Sequence, residues 1–348
     1  MPETTVSRYV RRLDSGRYRV VLPESVTGIR HYGTFDTQAE AEAARDRALA
    51  EPEPVDDAPI VEGLTTEYAE WTADELWSAA FAAQDRAAKR EQARADQSIT
   101  VPGVRAFAIA YTSDWHIGDA RTNYRQLKTD LETIRDTDRM WAEYHGDGWN
   151  NWIVGKLAGL QRGEPIPFDA EVQLFAEAVG LCRGKWLWAI PGNHDNWSKL
   201  LAGIDKVRDV FAGCRVLYDP DEIVFALKWN GHQLTYKARH KWRYSSIYNA
   251  THGIEAGWQR GDVAFDIGLG GHTHRGTYCR PFTAHGRRRF AVLTGTYETT
   301  SEYGRELGFA PTDGMGSGAH VFYPDGRCPA FFEDVQTAAD FLRWLNRE

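Results

Sequence analysis

The chain has 348 residues, 42% hydrophobic and 26% charged, the balance of a folded globular protein rather than a disordered one. That length allows two or three domains, and no apolar run reaches the about 20 residues of a membrane-spanning helix. The net charge of -8 argues against a protein that coats nucleic acid indiscriminately, and the scattered Cys182, Cys214, Cys279 and Cys328 exclude a cysteine zinc finger or a disulfide scaffold.

The N-terminal segment MPETTVSRYVRRLDSG has charges but no apolar stretch behind them, so no secretory leader is expected and the cytoplasm is the expected compartment. Residues 1–50 read as a small unit. Tyr9–Arg12 and Tyr18–Leu22 form short strands around a turn at Asp14-Ser15-Gly16, and a third strand runs over Arg30–Phe35. Asp36-Thr37 then caps an alanine-rich helix over Gln38–Ala50. The strands are basic although the chain is acidic: Arg8, Arg11, Arg12, Arg17, Arg19 and Arg30 stand against Glu3, Asp14 and Glu24.

Residues 51–100 read as a connector. EPEPVDDAPIVEG (residues 51–63) is a Pro- and acid-rich linker. Thr72-x-x-Glu75 has the form of a capping box and opens a spacer helix to Gln97, whose second half is polar nearly all round.

Residues 101–348 alternate strands and helices. Phe107–Thr112 is a buried strand, Tyr124–Ile134 an amphipathic helix, and Met140–His145 a more polar strand. A helix over Ala170–Leu181, a strand over Trp186–Ile190 and a helix over Leu200–Phe211 follow. Asn230-Gly231 marks a hairpin between Ile223–Trp229 and Gln233–Ala238. Ala264–Leu269 and Phe290–Thr294 are later strands, and Val335–Leu345 closes the chain as a helix. This pattern predicts a layered α/β domain.

Metal-ligand residue types gather where these strands end. Asp114 and His116 follow the first strand, Asp147 the second, Asn193-His194-Asp195 the third, His240 the hairpin, and His272 and His274 the strand after it. On extended chain, residues i and i+2 point the same way, so Asp114 and His116 can reach one ion, as can His272 and His274. Gly146, Gly192 and Gly271 let the chain leave each strand sharply. Carboxylates mixed with imidazoles suit Mn, Fe, Zn, Co or Ni better than calcium.

The order of these five segments resembles the calcineurin-like metallophosphoesterase superfamily over residues 104–325. The resemblance implies a four-layer αββα sandwich holding two divalent metal ions, with manganese expected and magnesium also admitted. It implies that Asp114, His116 and His274 hold the first ion, that Asn193, His240 and His272 hold the second, and that Asp147 bridges them. His194 would face the phosphate with Asp195 orienting it. The implied chemistry is hydrolysis of a phosphoester: the ions acidify a water and neutralise phosphoryl oxygens, while His194 serves the leaving alcohol. Phosphoprotein phosphatases of this superfamily follow the bridging aspartate with an Asp-Arg pair. Here Gly148, Trp149, Asn150 and Asn151 follow it, which argues against a Ser/Thr phosphatase.

Three features bear on the substrate. Ile223–Ile254 contains Lys228, Lys237, Arg239, Lys241 and Arg243 and no acid, and Ile267–Tyr297 contains Arg275, Arg280, Arg287, Arg288 and Arg289 and no acid. These form either a cationic funnel for a polyanion or ion pairs with acids elsewhere. Trp115, Trp149, Trp197 and Trp242 lie beside the motifs, and either stack bases or pack beneath the site. Finally, Arg8–Arg12, Gly16-Arg17-Tyr18 and Tyr32–Thr37 resemble the Apetala-two type DNA-binding domain and the arm-binding domains of phage integrases. That resemblance implies a three-stranded sheet on the major groove with Arg8, Arg11, Arg17, Arg19 and Arg30 as contacts. The layout as a whole looks like phage-encoded metallophosphoesterases, which places it in the host cytoplasm. Three functions remain open: a DNA nuclease tethered by its N-terminal unit, a phosphodiesterase for cyclic nucleotides or similar small molecules, and a non-catalytic DNA-binding protein with a structural metal.

Overall fold

The computed structural model describes residues 4–22, 33–49, 72–155, 157–159, 165–244, 246, 248–261, 264–299 and 316–347. It divides into two compact units, Met1–Asp74 and Glu75–Glu348. Among the described residues no helix is long and apolar enough to cross a membrane.

The first unit is an antiparallel sheet of four strands, β1 (Thr4–Ser7), β2 (Val10–Arg12), β3 (Tyr18–Val20) and β4 (Gly33–Phe35), with helix α1 (Gln38–Leu49). The expected sheet had three strands. The extra one is the β-branched Thr4-Thr5-Val6-Ser7, which pairs with β2. Tyr9, expected within β2, instead makes the turn, with φ 66°. Thr37 and Glu40 exchange backbone–side-chain hydrogen bonds of 3.3 and 3.1 Å, the reciprocal cap that starts α1. Val10, Val20 and Leu22 pack with Ala41 to form a thin core. Arg30 and the 51–63 linker lie outside the described residues.

From Glu75 on, the exposed helix α2 (Ala73–Ala95) belongs to the second unit, where its Arg94 meets Asp219 at 2.7 Å. Next comes β5 (Ser98–Val101), which falls largely ahead of the boundary expected at residue 101 yet joins a sheet of this unit. Its four residues are too few to show a period.

Two six-stranded sheets follow. The first has the order β16 (Ala330–Phe332), β15 (Gly318–Phe322), β6 (Phe107–Thr112), β7 (Met140–Tyr144), β8 (Trp186–Ala189), β9 (Leu217–Tyr218). The second has the order β13 (Tyr278–Ala284), β14 (Arg287–Leu293), β12 (Ile267–Gly270), β11 (His232–Ala238), β10 (Ile223–Trp229), β5. Strands β6 to β9 run parallel, so their C-terminal ends share one edge of the sheet. Asn230 and Gly231, with φ of 42° and 80°, make the expected tight hairpin between β10 and β11.

The layering follows from side-chain alternation. Phe107, Ile109 and Tyr111 point to the second sheet, where they meet Phe225, Leu227, Tyr236 and Val292. Ala106, Ala108 and Ala110 point the other way, onto α3 (Tyr124–Asp136), α4 (Phe168–Leu181) and α8 (Val335–Leu345). Small alanines on that face let the helices approach closely. Helix α7 (His252–Arg260) covers the far side of the second sheet through Ile254, Phe265 and Leu293. The helix expected over Leu200–Phe211 is two helices, α5 (Asn193–Ala202) and α6 (Lys206–Phe211). Gly203 breaks them in the left-handed conformation (φ 69°), and Asp205 caps the second by accepting from Arg208 N.

Candidate metal centre

Two groups of side chains meet at the strand ends: Asp114, His116 and His274, and Asp147, His240 and His272. Within each, one ligand atom per residue lies within 4.8 Å of the others. In the first, His274 Nε2 is 3.0 Å from Asp114 Oδ1 and 3.0 Å from His116 Nε2. In the second, His240 Nε2 is 3.0 Å from Asp147 Oδ2. The groups adjoin: His272 N donates to Asp114 Oδ2 at 3.0 Å, and the His240 and His272 rings lie 5.4 Å apart.

The backbone here departs from the extended geometry expected of the Asp114/His116 and His272/His274 pairs. Asp114 (φ 49°), His116 (47°), Asp147 (55°), His272 (69°) and His274 (49°) are all left-handed. Tight turns, not the pleat, therefore aim these side chains. Gly146 and Gly192 permit the closeness: a Cβ on Gly146 would strike Gly192 and His240, and one on Gly192 would strike Asp147.

Hydrogen bonds set the imidazole tautomers. His116 Nδ1 lies 3.0 Å from Asn150 Oδ1, and His274 Nδ1 lies 3.0 Å from Glu298 Oε2. Oxygen acceptors at both Nδ1 atoms put the protons there and leave lone pairs on the two facing Nε2 atoms. Such a pair repels unless a proton or a metal ion lies between them. His240 Nδ1 likewise donates to His145 O at 2.6 Å. Asn193 Oδ1 is buried without a hydrogen-bond partner, and Asp114 Oδ1 and His240 Nε2 face other candidate ligand atoms of their own groups, the condition of atoms that await a cation. Burial alone would lower the His240 pKa, but the Asp147 charge outweighs it and lifts it to about 9. Burial would likewise lower His274, yet Asp114 and Glu298 hold it well above the usual imidazole range. The donor set thus fits two hard or borderline divalent ions.

His194 stands beside both groups. Its backbone N donates to Asp147 Oδ1 at 2.8 Å, and its ring is 4.8 Å from that of His116. Burial lowers its pKa to about 4, so the ring is neutral near pH 7. Its Nδ1 is held by Asn150 O at 2.7 Å, which leaves Nε2 as the ring nitrogen for any further partner. This corrects the expected role of Asp195. Its oxygens accept from Tyr144 Oη (2.7 Å), Asp147 N (2.9 Å), Gly192 N (2.8 Å) and Gly148 N (3.0 Å) instead. Asp195 fastens two backbone turns, while Asn150 orients both His116 and His194.

The tryptophans divide. Trp115 and Trp149 are fully buried and pack on Phe175, so Trp149 cannot stack a base as the substrate-binding expectation required. Trp242 is tied to Leu269 O at 2.6 Å. Trp197, with ring centroid 4.2 Å from His194, and Trp152, at 5.0 Å, do flank that histidine.

The cationic stretches also divide. Arg239 and Lys237 pair with Glu222, Arg287 and Arg289 with Asp266, and Arg280 with Glu255. The acids lie outside the stretches or, for Glu255, just past their end, which is why sequence windows without acids looked uncompensated. Lys241 and Arg243 remain exposed, and Lys241 lies close enough to His272 to help lower its pKa.

In the N-terminal unit, Arg11 and Arg19 are register partners, with Thr5 and Thr34 beside them, on the face opposite Val10 and Val20. Arg8 lies over the Tyr9 ring at 5.0 Å, and Arg17 pairs with Asp36 at 2.7 Å.

Sequence reasoning passed over Glu298, Trp152 and the structural duty of Asn151, which donates to His194 O and accepts from Ser198 Oγ. The polar Thr294–Glu298 run after a strand of a sheet whose other strand ends carry ligands was the available signal.

No family model and no curated protein matches the chain. Among solved structures it is similar to Vps29 of Chaetomium thermophilum, at 11% identity and TM-score 0.33, over 65% of this chain and 95% of that one. It is also similar to the calcineurin-like phosphoesterase YfkN of Bacillus subtilis, at 12% identity and TM-score 0.28, over 70% of this chain and 99% of that one. Its own sheets and helices make the chain an α/β protein: a four-layer αββα sandwich preceded by a small antiparallel sheet with one helix.

Proposed function

We propose that this chain is a calcineurin-like, dinuclear metal-dependent phosphodiesterase, and that it cuts DNA held by its N-terminal unit. The observation that carries the hydrolase reading is the pair of adjoining ligand groups with His194 beside them. Asp114, His116 and His274 would hold one ion and Asn193, His240 and His272 the other, with Asp147 between them. When bound, two divalent ions supply Lewis acidity, neutralising phosphoryl oxygens and lowering the pKa of a water. The chain's own groups do the rest. Asn150 and Glu298 keep Nε2 of His116 and His274 turned to the centre. Asp195 holds the turns that carry Asp147 and Gly192. His194 would stand at the leaving oxygen and, when protonated at Nε2, would deliver a proton there.

Two features favour DNA: the Arg11–Arg19 row with its flanking threonines, and the exposed Lys241 and Arg243. Trp152 and Trp197 beside His194 favour the second reading, a phosphodiesterase clamping one base of a small cyclic nucleotide.

The test is incubation with manganese and a panel of plasmid, single-stranded DNA, cyclic nucleotides and a chromogenic phosphodiester. DNA cleavage abolished by a chelator is expected. Turnover of a cyclic nucleotide without DNA cleavage overturns the DNA reading, and no hydrolysis with manganese, iron, zinc, cobalt, nickel or magnesium overturns the enzyme. His194→Ala should keep both metals and lose roughly 100- to 10,000-fold in rate, whereas Asp147→Ala should lose metal. Metal content by mass analysis separates the two.

A further inference from the structure

The imidazoles of the two groups are backed by different chemistry. His240 leans on a backbone carbonyl, His145 O, and His116 on a neutral amide, Asn150 Oδ1. His274 leans on a carboxylate, Glu298 Oε2 at 3.0 Å, which is only 3% exposed.

The segment that delivers Glu298 is pinned on both sides of it. Tyr297 N donates to Asp114 O at 3.1 Å, and Asn123 N donates to Tyr297 O at 2.8 Å. Glu298 N donates to Thr296 Oγ1 at 3.1 Å, and Glu298 bridges to Thr122. Below it, Tyr297 Oη donates to Asp130 Oδ2 at 2.7 Å. The carboxylate is therefore placed in advance, against the Nδ1 side of His274 in the first group.

A carboxylate at the far nitrogen of an imidazole fixes its orientation and makes its other nitrogen a stronger donor, typically worth 10- to 100-fold in metal affinity. We infer that Glu298 is a positioning residue that makes the Asp114–His116–His274 group the tighter of the two metal sites and the first to fill. This rests on the metal-centre reading above.

Manganese titration of the metal-free chain, with free Mn(II) counted by electron paramagnetic resonance, tests it. The wild type should show two affinity classes, and Glu298→Gln should narrow the gap between them. His272→Ala weakens the second group and leaves the first intact, and His274→Ala does the reverse, so the tighter binding left in each background reports one site. In the His272→Ala background, Glu298→Gln should weaken binding about tenfold and Glu298→Ala up to about a hundredfold. Glutamine still accepts from Nδ1 but lacks the charge, so the difference between the two variants separates orientation from charge. In the His274→Ala background neither substitution should change affinity. A merely structural role would instead lower both sites together, in step with the melting temperature. Equal affinity with and without Glu298, or equal losses in both backgrounds, overturns the inference. A wild-type chain that binds no manganese overturns the metal-centre reading beneath it, and the inference with it.

Discussion

Left-handed backbone at Asp114, His116, Asp147, His272 and His274 is costly for residues with a Cβ, about 1–3 kcal/mol each. It persists because other bonds over-determine each turn. Asp114 N donates to Gly146 O at 2.9 Å and His116 N to Asp147 O at 3.1 Å, while Asp195 gathers the amides of Asp147, Gly148 and Gly192. Burial and the Asp147 charge push the Asp195 pKa up to about 6, so the carboxylate is kept there against its own desolvation. Asp195→Asn would set an amide NH2 against backbone N–H groups. We expect it to lose metal and activity together and to cost about 1–3 kcal/mol in stability. Metal analysis beside thermal unfolding checks this. A variant that keeps both metals would return Asp195 to a role like that of His194.

At the scale of elements, strand β6 is wholly buried because its two faces serve two layers, large side chains toward the second sheet and alanines toward the helices. Strand β15 beside it carries His320 into the space between the sheets, with Nδ1 2.8 Å from Tyr111 Oη. Burial pushes the His320 pKa down to about 3, well below the ordinary imidazole value near 6.5. The unfolded chain thus takes up this proton before the folded one does. Stability is unaffected by it above the unfolded pKa and falls as the pH drops from there toward 3, by about 1.4 kcal/mol per pH unit. His320→Gln, which keeps an acceptor for Tyr111, should lose less stability than the wild type between pH 7 and pH 4. The difference should reach about 3 kcal/mol, read from denaturant midpoints at the two pH values. Parallel losses in the two proteins would show that His320 is protonated in the fold.

Across the whole molecule, the two units have separate cores, one around Val10, Val20 and Leu22, the other in the layers of the sandwich. The proposed function divides the same way: candidate ligand residues in one, the Arg11–Arg19 face in the other. Tethering raises local substrate concentration without altering the active site. Deleting residues 1–60 should therefore weaken DNA binding and spare hydrolysis of a small chromogenic ester. Equal loss of both would contradict a tether.

The strands that lead into the site, the Asn230-Gly231 hairpin and the identities of the clustered Asp and His residues were legible because each depends on a few neighbouring residues: alternation, a turn dipeptide, a glycine leaving a strand. The orientation of those residues was not. Trp149 and Trp197 are equally aromatic and equally near a motif, yet one lies under the centre and the other beside His194. Asp195 follows His194 directly but serves a turn that begins at Gly146. Glu298 reaches a histidine 24 positions earlier, and Arg289 finds its acid in Asp266, which lies just ahead of its own stretch. Local sequence sets which groups stand at a strand end. Which group each one touches depends on segments distant in the chain brought together by packing, and no periodicity records that.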